Sequence, residues 1–225
     1  MGLLSTKDSG SDNELATNFY FPTSKSALII FTRNPELGKC KTRLAKTVGD
    51  EAALNIYKHL LNHTATISAK VNADKYVFYS ETIKKNDLWN PDVFRKKLQY
   101  GYDLGARMEN AFSELFQLGY EKIIIIGSDI LDLTANNVND AFQMLNTHDF
   151  VVGPAKDGGY YLLGMKTLHN SIFKNKDWDS SSVLKDTLDD IQNSNFSLLE
   201  ELNDIDTFDD VKPYQELKKY YSTND

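Results

Sequence analysis

Ile123-Ile124-Ile125-Ile126-Gly127-Ser128-Asp129 is the stretch from which the rest of the chain is read. Four consecutive isoleucines show no alternation of polar and apolar positions. A strand built from them is covered on both faces, as at the centre of a parallel sheet. Asp129 then stands where the strand stops, and a charge at the end of such a run is costly unless it is solvated or used. Towards the N-terminus, Asp103 to Leu118 places Leu104, Met108, Ala111, Phe112 and Leu115 on one helical face, with Gly119 as its stop. Further back, Ala27-Leu28-Ile29-Ile30-Phe31 is a second strand covered on both faces. The span Glu51 to Val71 repeats Ala53, Tyr57, Leu60, Leu61, Thr64, Ser68 and Val71 at helical spacing, and Lys75 to Ser80 and Lys97 to Tyr100 read as strands. Towards the C-terminus come a helix from Thr134 to Leu145 capped by Thr134, strands at Phe150-Val151-Val152 and Tyr160 to Met165, a helix from Ser181 to Gln192, and a strand from Phe196 to Leu199. A last helix is opened by Thr207, with Asp210 completing its capping box.

Strands alternate with helices, which predicts an α/β fold with a mostly parallel sheet and helices on both faces. Phe150–Val152 and Tyr160–Met165 follow one another with only a turn between them, so a small β-rich insertion is expected there. The 225 residues fit one α/β domain, taken as 26–225, with the polar stretch 1–25 as a flexible tail. The net charge of -7 argues against general nucleic-acid binding, which needs clustered positive charge. No apolar run approaches the roughly 18–20 residues of a membrane span, and the start lacks the basic and apolar regions of a signal peptide. Cys40 is the single cysteine, which excludes an intramolecular disulfide and agrees with a reducing, cytoplasmic setting. Lys39 and Lys41 beside it would lower its pKa.

Four constellations carry chemistry. The loop after the first strand holds Arg33, Gly38, Lys39, Lys41 and Arg43. Ligands of open α/β sheets bind outside the carboxyl ends of the strands, where arginine grips phosphate bidentately and lysine acts as a point charge. This loop is neither a Walker A loop nor a G-x-G-x-x-G fingerprint. Gly127-Ser128-Asp129 offers a hard oxygen ligand at the same edge, suited to magnesium or manganese. Asp157-Gly158-Gly159-Tyr160-Tyr161 reads equally as a hairpin turn or as a turn whose N–H groups hold an anion or a sugar hydroxyl. In Asn203-Asp204-Ile205-Asp206-Thr207, alternation turns Ile205 inward and both aspartates the other way, where Asp206 could reach a metal or simply decorate a helix N-terminus. His59 and His63 lie four residues apart but without the H-E-x-x-H pattern, and read as surface residues.

These motifs together resemble a known family. Phe31-Thr32-Arg33-Asn34-Pro35 with Gly38 and Lys41-Thr42-Arg43-Leu44-Ala45 is similar to the start of a bacterial glycosyltransferase-like family. Its members were long labelled a domain of unknown function, and some are called radical-SAM/selenodomain-associated transferases. Tyr102-Asp103-Leu104-Gly105 with Arg107-Met108, Gly127-Ser128-Asp129, Gly153-Pro154-Ala155 through Tyr161, and Asp204-Ile205-Asp206-Thr207 resemble its other signatures, so the likeness runs from about Leu28 to Val211. Each motif alone is weak; five in order are specific. The resemblance implies the GT-A nucleotide-diphospho-sugar transferase fold, shared with the molybdenum-cofactor and phospholactate guanylyltransferases. It implies that Arg33, Lys41 and Arg43 grip donor phosphates and that Asp103, Gly105 and Arg107 lie near the nucleoside. Asp129 and Asp206 would hold magnesium or manganese, and Asp157, Gly158 and Gly159 would face the acceptor. Where the family often has proline, this chain has Leu131, which removes a fixed φ from the metal loop.

The expected activity is metal-dependent glycosyl transfer from a nucleotide-sugar to a small-molecule acceptor, with Asp157 as catalytic base. The alternatives are nucleotidyl transfer from a nucleoside triphosphate to a phosphorylated acceptor with loss of pyrophosphate, and a non-catalytic nucleotide-binding protein.

Overall fold

The computed structural model describes residues 22–222. Among them, β1 (Ser26–Thr32), β2 (Asp74–Tyr79), β3 (Phe94–Leu98), β4 (Lys122–Ile126), β5 (Phe150–Pro154), β6 (Tyr160–Met165) and β7 (Phe196–Leu198) form one sheet in the order β3-β2-β1-β4-β6-β5-β7. All neighbouring pairs are parallel except those of β6, which runs antiparallel to both β4 and β5. The break in alternation is therefore the β5–β6 hairpin. It lies inside the main sheet rather than beside it, because the isoleucine strand β4 needs an apolar neighbour on each side and Leu162–Met165 supplies one.

The helices are α1 (Thr42–Val48), α2 (Asp50–Ala69), α3 (Leu104–Gln117), α4 (Ala135–Met144), α5 (Val183–Asp190) and α6 (Phe208–Val211), with 3-10 turns at Asn170–Phe173 and Gln215–Tyr220. Successive strand residues point to opposite faces. Leu28, Ile30, Ile124 and Ile126 meet α2 and α4 on one side, through Tyr57, Leu61, Val138 and Phe142. Ala27, Ile29, Ile123 and Ile125 meet α3 on the other, through Met108, Phe112 and Leu115. This accounts for strands that are apolar at every position. None of the helices among the described residues is long and apolar enough to cross a membrane.

Helix α1 was not expected. It has seven residues and a single buried side chain, Leu44, so it carries no apolar period to read. Strand β3 begins earlier than its expected start at Lys97. Phe94 is its only buried residue and Arg95, Lys96 and Lys97 follow, as suits an edge strand. The expected tail lies, through residue 21, outside the described residues. Within its last few residues Thr23 is already tied to the fold, its N–H donating to Asp74 Oδ2 at 2.7 Å. Asp74 also accepts from Tyr120 Oη at 2.6 Å and from Arg95 Nη1 at 3.1 Å, closing the N-terminal edge of the sheet.

A third apolar cluster positions the site. Leu44 of α1, Ala53, Ile56 and Leu60 of α2, and Leu131, Ile205, Val211 and Leu217 pack together. They fasten the C-terminal segment across the carboxyl ends of β1 and β4. Leu131, which stands where the resembled family often has proline, is 8% exposed and is thus a core residue of this clasp.

Candidate active site

β1 and β4 are hydrogen-bonded neighbours, with Ile30 opposite Ile126, so the loops that follow them emerge side by side. Residues 33–41 and Gly127-Ser128-Asp129 therefore meet at the carboxyl edge of the sheet, the place where open α/β sheets bind ligands. The C-terminal segment joins them: Ile205 N–H donates to the Asp129 carbonyl at 3.1 Å, and Ile130 bridges Asp204. Ile205 is fully buried, so its neighbours Asp204 and Asp206 turn towards the rim.

Four charged groups meet there. Lys41 Nζ donates to Asp129 Oδ2 at 2.8 Å and lies 3.8 Å from Asp206 Oδ1. Arg43 Nη1 donates to Asp206 Oδ2 at 2.8 Å. Lys41 sits in the left-handed region, at φ 50° and ψ 45°, as the residue that opens α1. Only surroundings that over-determine such a conformation keep a non-glycine residue in it. Burial alone would push its ammonium down, but the Asp129 and Asp206 carboxylates outweigh that and hold it above the usual lysine range.

Tyr57 of α2 braces both loops from below. Its buried hydroxyl accepts from the Arg33 N–H at 2.9 Å and donates to the Arg33 carbonyl at 3.1 Å. It also lies 3.3 Å from Thr32 Oγ1 and 3.4 Å from Ser128 Oγ. One oxygen thus ties the first residue of the basic loop to the residue before Asp129. Burial pushes this hydroxyl's pKa up, which keeps it protonated and able to donate. The sequence showed Tyr57 only as one more residue on an apolar helix face.

Asp204 is the other residue that reading left without a role. Burial, then the negative charges of Asp157 and Asp129, push its carboxyl up to about 6. The Lys156 N–H donates to the Leu202 carbonyl at 3.1 Å, so the turn that carries Asp157 lies beside the segment that carries Asp204. Asp157 is exposed, and its Oδ1 accepts from the Gly159 N–H at 2.7 Å. Gly158 has φ 91°, and a Cβ there would come within 2.2 Å of the Ser181 carbonyl oxygen. Its carbonyl accepts from the Leu184 N–H at 2.9 Å, so this glycine is required by packing against the start of α5.

The remaining candidates divide. Arg33 is exposed and makes no ion pair among the described residues, which leaves a cation for a ligand. Lys39 is exposed and pairs with Glu36 of its own loop at 2.8 Å, not with the carboxylate pair. Gly38 takes φ 72°, the conformation the loop needs from a glycine. Asp103 caps α3, accepting from the Ala106 N–H at 2.7 Å. Gly105 is buried, and a Cβ there would lie 2.3 Å from the Phe173 carbonyl oxygen and 2.6 Å from Trp178. Arg107 is held at the ends of the strands, with Nε 3.3 Å from the Gly101 carbonyl and Nη1 3.4 Å from Gln99 Oε1.

Cys40 departs from expectation: burial raises its thiol pKa despite the neighbouring lysines, and the thiol points to the Glu36 carbonyl at 3.4 Å. His59 and His63 are partly exposed and have separate partners, Glu216 Oε1 at 3.4 Å and the Leu133 carbonyl at 2.8 Å.

Among the described residues no group of three or more His, Cys, Asp or Glu side chains converges on one point. The protein offers a carboxylate pair, both members within reach of one ammonium. Hard oxygen ligands in that number fit magnesium or manganese, which commonly take one or two carboxylates and complete their shell with water and substrate phosphate.

Comparison with known proteins bears on this arrangement. The family described as "Uncharacterized protein conserved in bacteria (DUF2064)" matches residues 63–180. The chain belongs to that family. The matched stretch includes Asp103, Asp129 and Asp157, while Arg33, Lys41, Arg43 and Asp206 lie outside it. A solved structure from Desulfovibrio desulfuricans G20, assigned as a nucleotide-diphospho-sugar transferase, is 30% identical and superposes with a TM-score of 0.81 over 88% of this chain and 89% of that one. The 2-phospho-L-lactate guanylyltransferase of Methanocaldococcus vulcanius is 25% identical over 144 residues, 62% of this chain. The chain spans 61% of that relative's length in the match. The manganese complex of Rv0371C from Mycobacterium tuberculosis H37Rv, at 12% identity, TM-score 0.52 and coverage of 85% and 97%, shares the fold. The chain therefore has the nucleotide-diphospho-sugar transferase fold and stands among enzymes of the transferase class.

Proposed function

We propose that this protein transfers a glycosyl group from a nucleotide-sugar to a small-molecule acceptor, with magnesium or manganese held by Asp129 and Asp206. The observation that carries this reading is the meeting of Lys41, Arg43, Asp129 and Asp206 at one rim. The similarity to the Desulfovibrio protein supports the donor class.

In this reading Arg33, Lys41 and Arg43 bind the donor diphosphate and stabilise the charge that builds on it as the bond from the sugar's anomeric carbon to phosphate oxygen breaks. The cation, when bound, adds Lewis-acid stabilisation to that same charge. Gly38 gives the loop its turn and Lys39, paired with Glu36, flanks it. Asp103 and Gly105 fix the start of α3, from which Arg107 reaches the nucleoside side. On the acceptor side, Gly158 and Gly159 shape the turn that presents Asp157. An acceptor hydroxyl oxygen forms the new bond to the anomeric carbon and gives its proton to the Asp157 carboxylate, and the donor leaves as nucleoside diphosphate. Asp157 is exposed with only its Oδ1 engaged, which leaves Oδ2 for that proton.

The guanylyltransferase relative favours a second reading, in which the same cations serve a nucleoside triphosphate attacked at its α-phosphorus. The products separate the two. Phosphorus NMR of the protein with magnesium, nucleotide-sugars or nucleoside triphosphates, and sugar or phosphorylated acceptors is expected to show nucleoside diphosphate accumulating. Pyrophosphate instead would establish the second reading. Binding seen by thermal shift without any product across the panel would overturn both and leave a nucleotide-binding protein.

A further inference from the structure

We propose that Lys41 is a built-in counter-ion for the carboxylate pair: without ligand it occupies Asp129 and Asp206, and it leaves them only for a polyphosphate, so that the divalent cation enters as its polyphosphate complex and not alone. This deepens the reading above and rests on its metal pair.

Three observations carry it. The Lys41 ammonium is 2.8 Å from Asp129 and 3.8 Å from Asp206, so it stands where a shared cation would stand. Its side chain is 9% exposed and leaves from a left-handed backbone at φ 50°, so it is committed to this position rather than sampling solvent. Arg43 adds a second cation on Asp206, so two positive groups sit on this carboxylate pair. A bare divalent ion entering here would face an ammonium and a guanidinium already seated on the pair that must bind it. A diphosphate provides another anion: the ammonium shifts from carboxylate to phosphate oxygen and the carboxylates become available. Metal and polyphosphate must then strengthen each other's binding reciprocally, with Lys41 as the coupling element.

The consequence runs against intuition, because removing a positively charged site residue strengthens metal binding. Manganese alone, pyrophosphate alone and the two together are titrated calorimetrically into the wild-type protein, Lys41→Met, Lys41→Arg and the double variant Lys41→Met/Asp129→Asn, with circular dichroism confirming that each is folded. Lys41→Met is expected to bind manganese alone about tenfold or more tighter than wild type and pyrophosphate about tenfold more weakly, so that the coupling between them shrinks. Lys41→Arg, which keeps the charge, should stay near wild type for manganese alone, and the double variant should lose the tight manganese site. Equal or weaker manganese binding by folded Lys41→Met overturns the counter-ion, as does tight binding that survives Asp129→Asn. Should no variant bind manganese with or without pyrophosphate, the metal pair itself fails and the proposed function loses its cation.

Discussion

The hydroxyl of Tyr57 is the smallest group whose removal should disturb both loops of the site. Tyr57→Phe deletes one oxygen and keeps the ring, so the packing of α2 against β1 and β4 survives. The bonds from the Arg33 N–H at 2.9 Å and to the Arg33 carbonyl at 3.1 Å are lost, along with the longer approaches to Thr32 and Ser128 at 3.3 and 3.4 Å. Each good hydrogen bond contributes about 0.5–1.5 kcal/mol net, and a group left unpaired in a buried site costs more. Arg33 is itself exposed, so water can reach part of what is freed. The expected loss is therefore about 1.5–3 kcal/mol, at the upper end of two ordinary bonds. Equilibrium unfolding in urea should show it as a lower midpoint with an unchanged slope, since the surface exposed on unfolding barely changes. Pyrophosphate binding in the presence of manganese should weaken as well, by about tenfold, because Arg33 and Asp129 are no longer held in register. A stability loss under about 0.5 kcal/mol together with unchanged pyrophosphate affinity would show that this oxygen does not brace the loops.

The half-buried Asp204 makes a pH prediction. Its folded-state value of about 6 lies above the ordinary 3.8, so the folded protein holds a proton that the unfolded chain has released. Stability from this group is present below that ordinary value and is lost as pH rises through about 6. Asp204→Asn should raise stability at pH 7.5 by about 1–2 kcal/mol, after discounting for solvent screening, and leave it unchanged at pH 4; paired thermal melts at the two pH values check the sign. Gly158→Ala should cost about 2–4 kcal/mol, because a Cβ would meet the Ser181 carbonyl and φ would stay positive; a urea midpoint equal to wild type would show that the turn can shift. Asp103→Ala removes a helix cap and should cost about 1 kcal/mol. If capping is its whole task, the thermal shift produced by a saturating nucleotide stays the same; a diminished shift would assign Asp103 to the nucleoside.

What could be read from the sequence was local. The runs Ala27–Phe31 and Ile123–Ile126 declare central strands because no residue in them could face water, and both lie at the centre of the sheet. Thr134 with Asn137 and Thr207 with Asp210 form capping boxes because donor and acceptor lie three residues apart and need no tertiary help. What could not be read was set by packing at a distance. Cys40 has lysines on both sides in sequence, yet burial decides its pKa. Gly105 resembles a ligand-side glycine, yet Phe173 and Trp178, far along the chain, are what exclude a side chain there. Tyr57 and Asp204 gain their places at the rim only once α2 and the C-terminal segment are docked, and no periodicity records that docking.

The juxtaposition of Asp129 with Asp206 therefore follows from apolar contacts more than from polar ones. Ile205 is fully buried among Leu44, Ala53, Ile56, Leu60 and Leu131, and strand-like alternation then obliges its two aspartate neighbours to face the rim. Two carboxylates brought close together repel, and their mutual approach must be supported by something that does not depend on their charge. The clasp supplies that support from the core side, and Lys41 and Arg43 supply it from the solvent side. The substitution of leucine for the proline of the resembled family fits this division. Proline would fix one backbone angle of the loop after β4, whereas Leu131 fixes that loop by burying a side chain in the same cluster that anchors Ile205. The loop's geometry is thereby tied to the docking of the C-terminal segment, so the two carboxylates are assembled together or not at all.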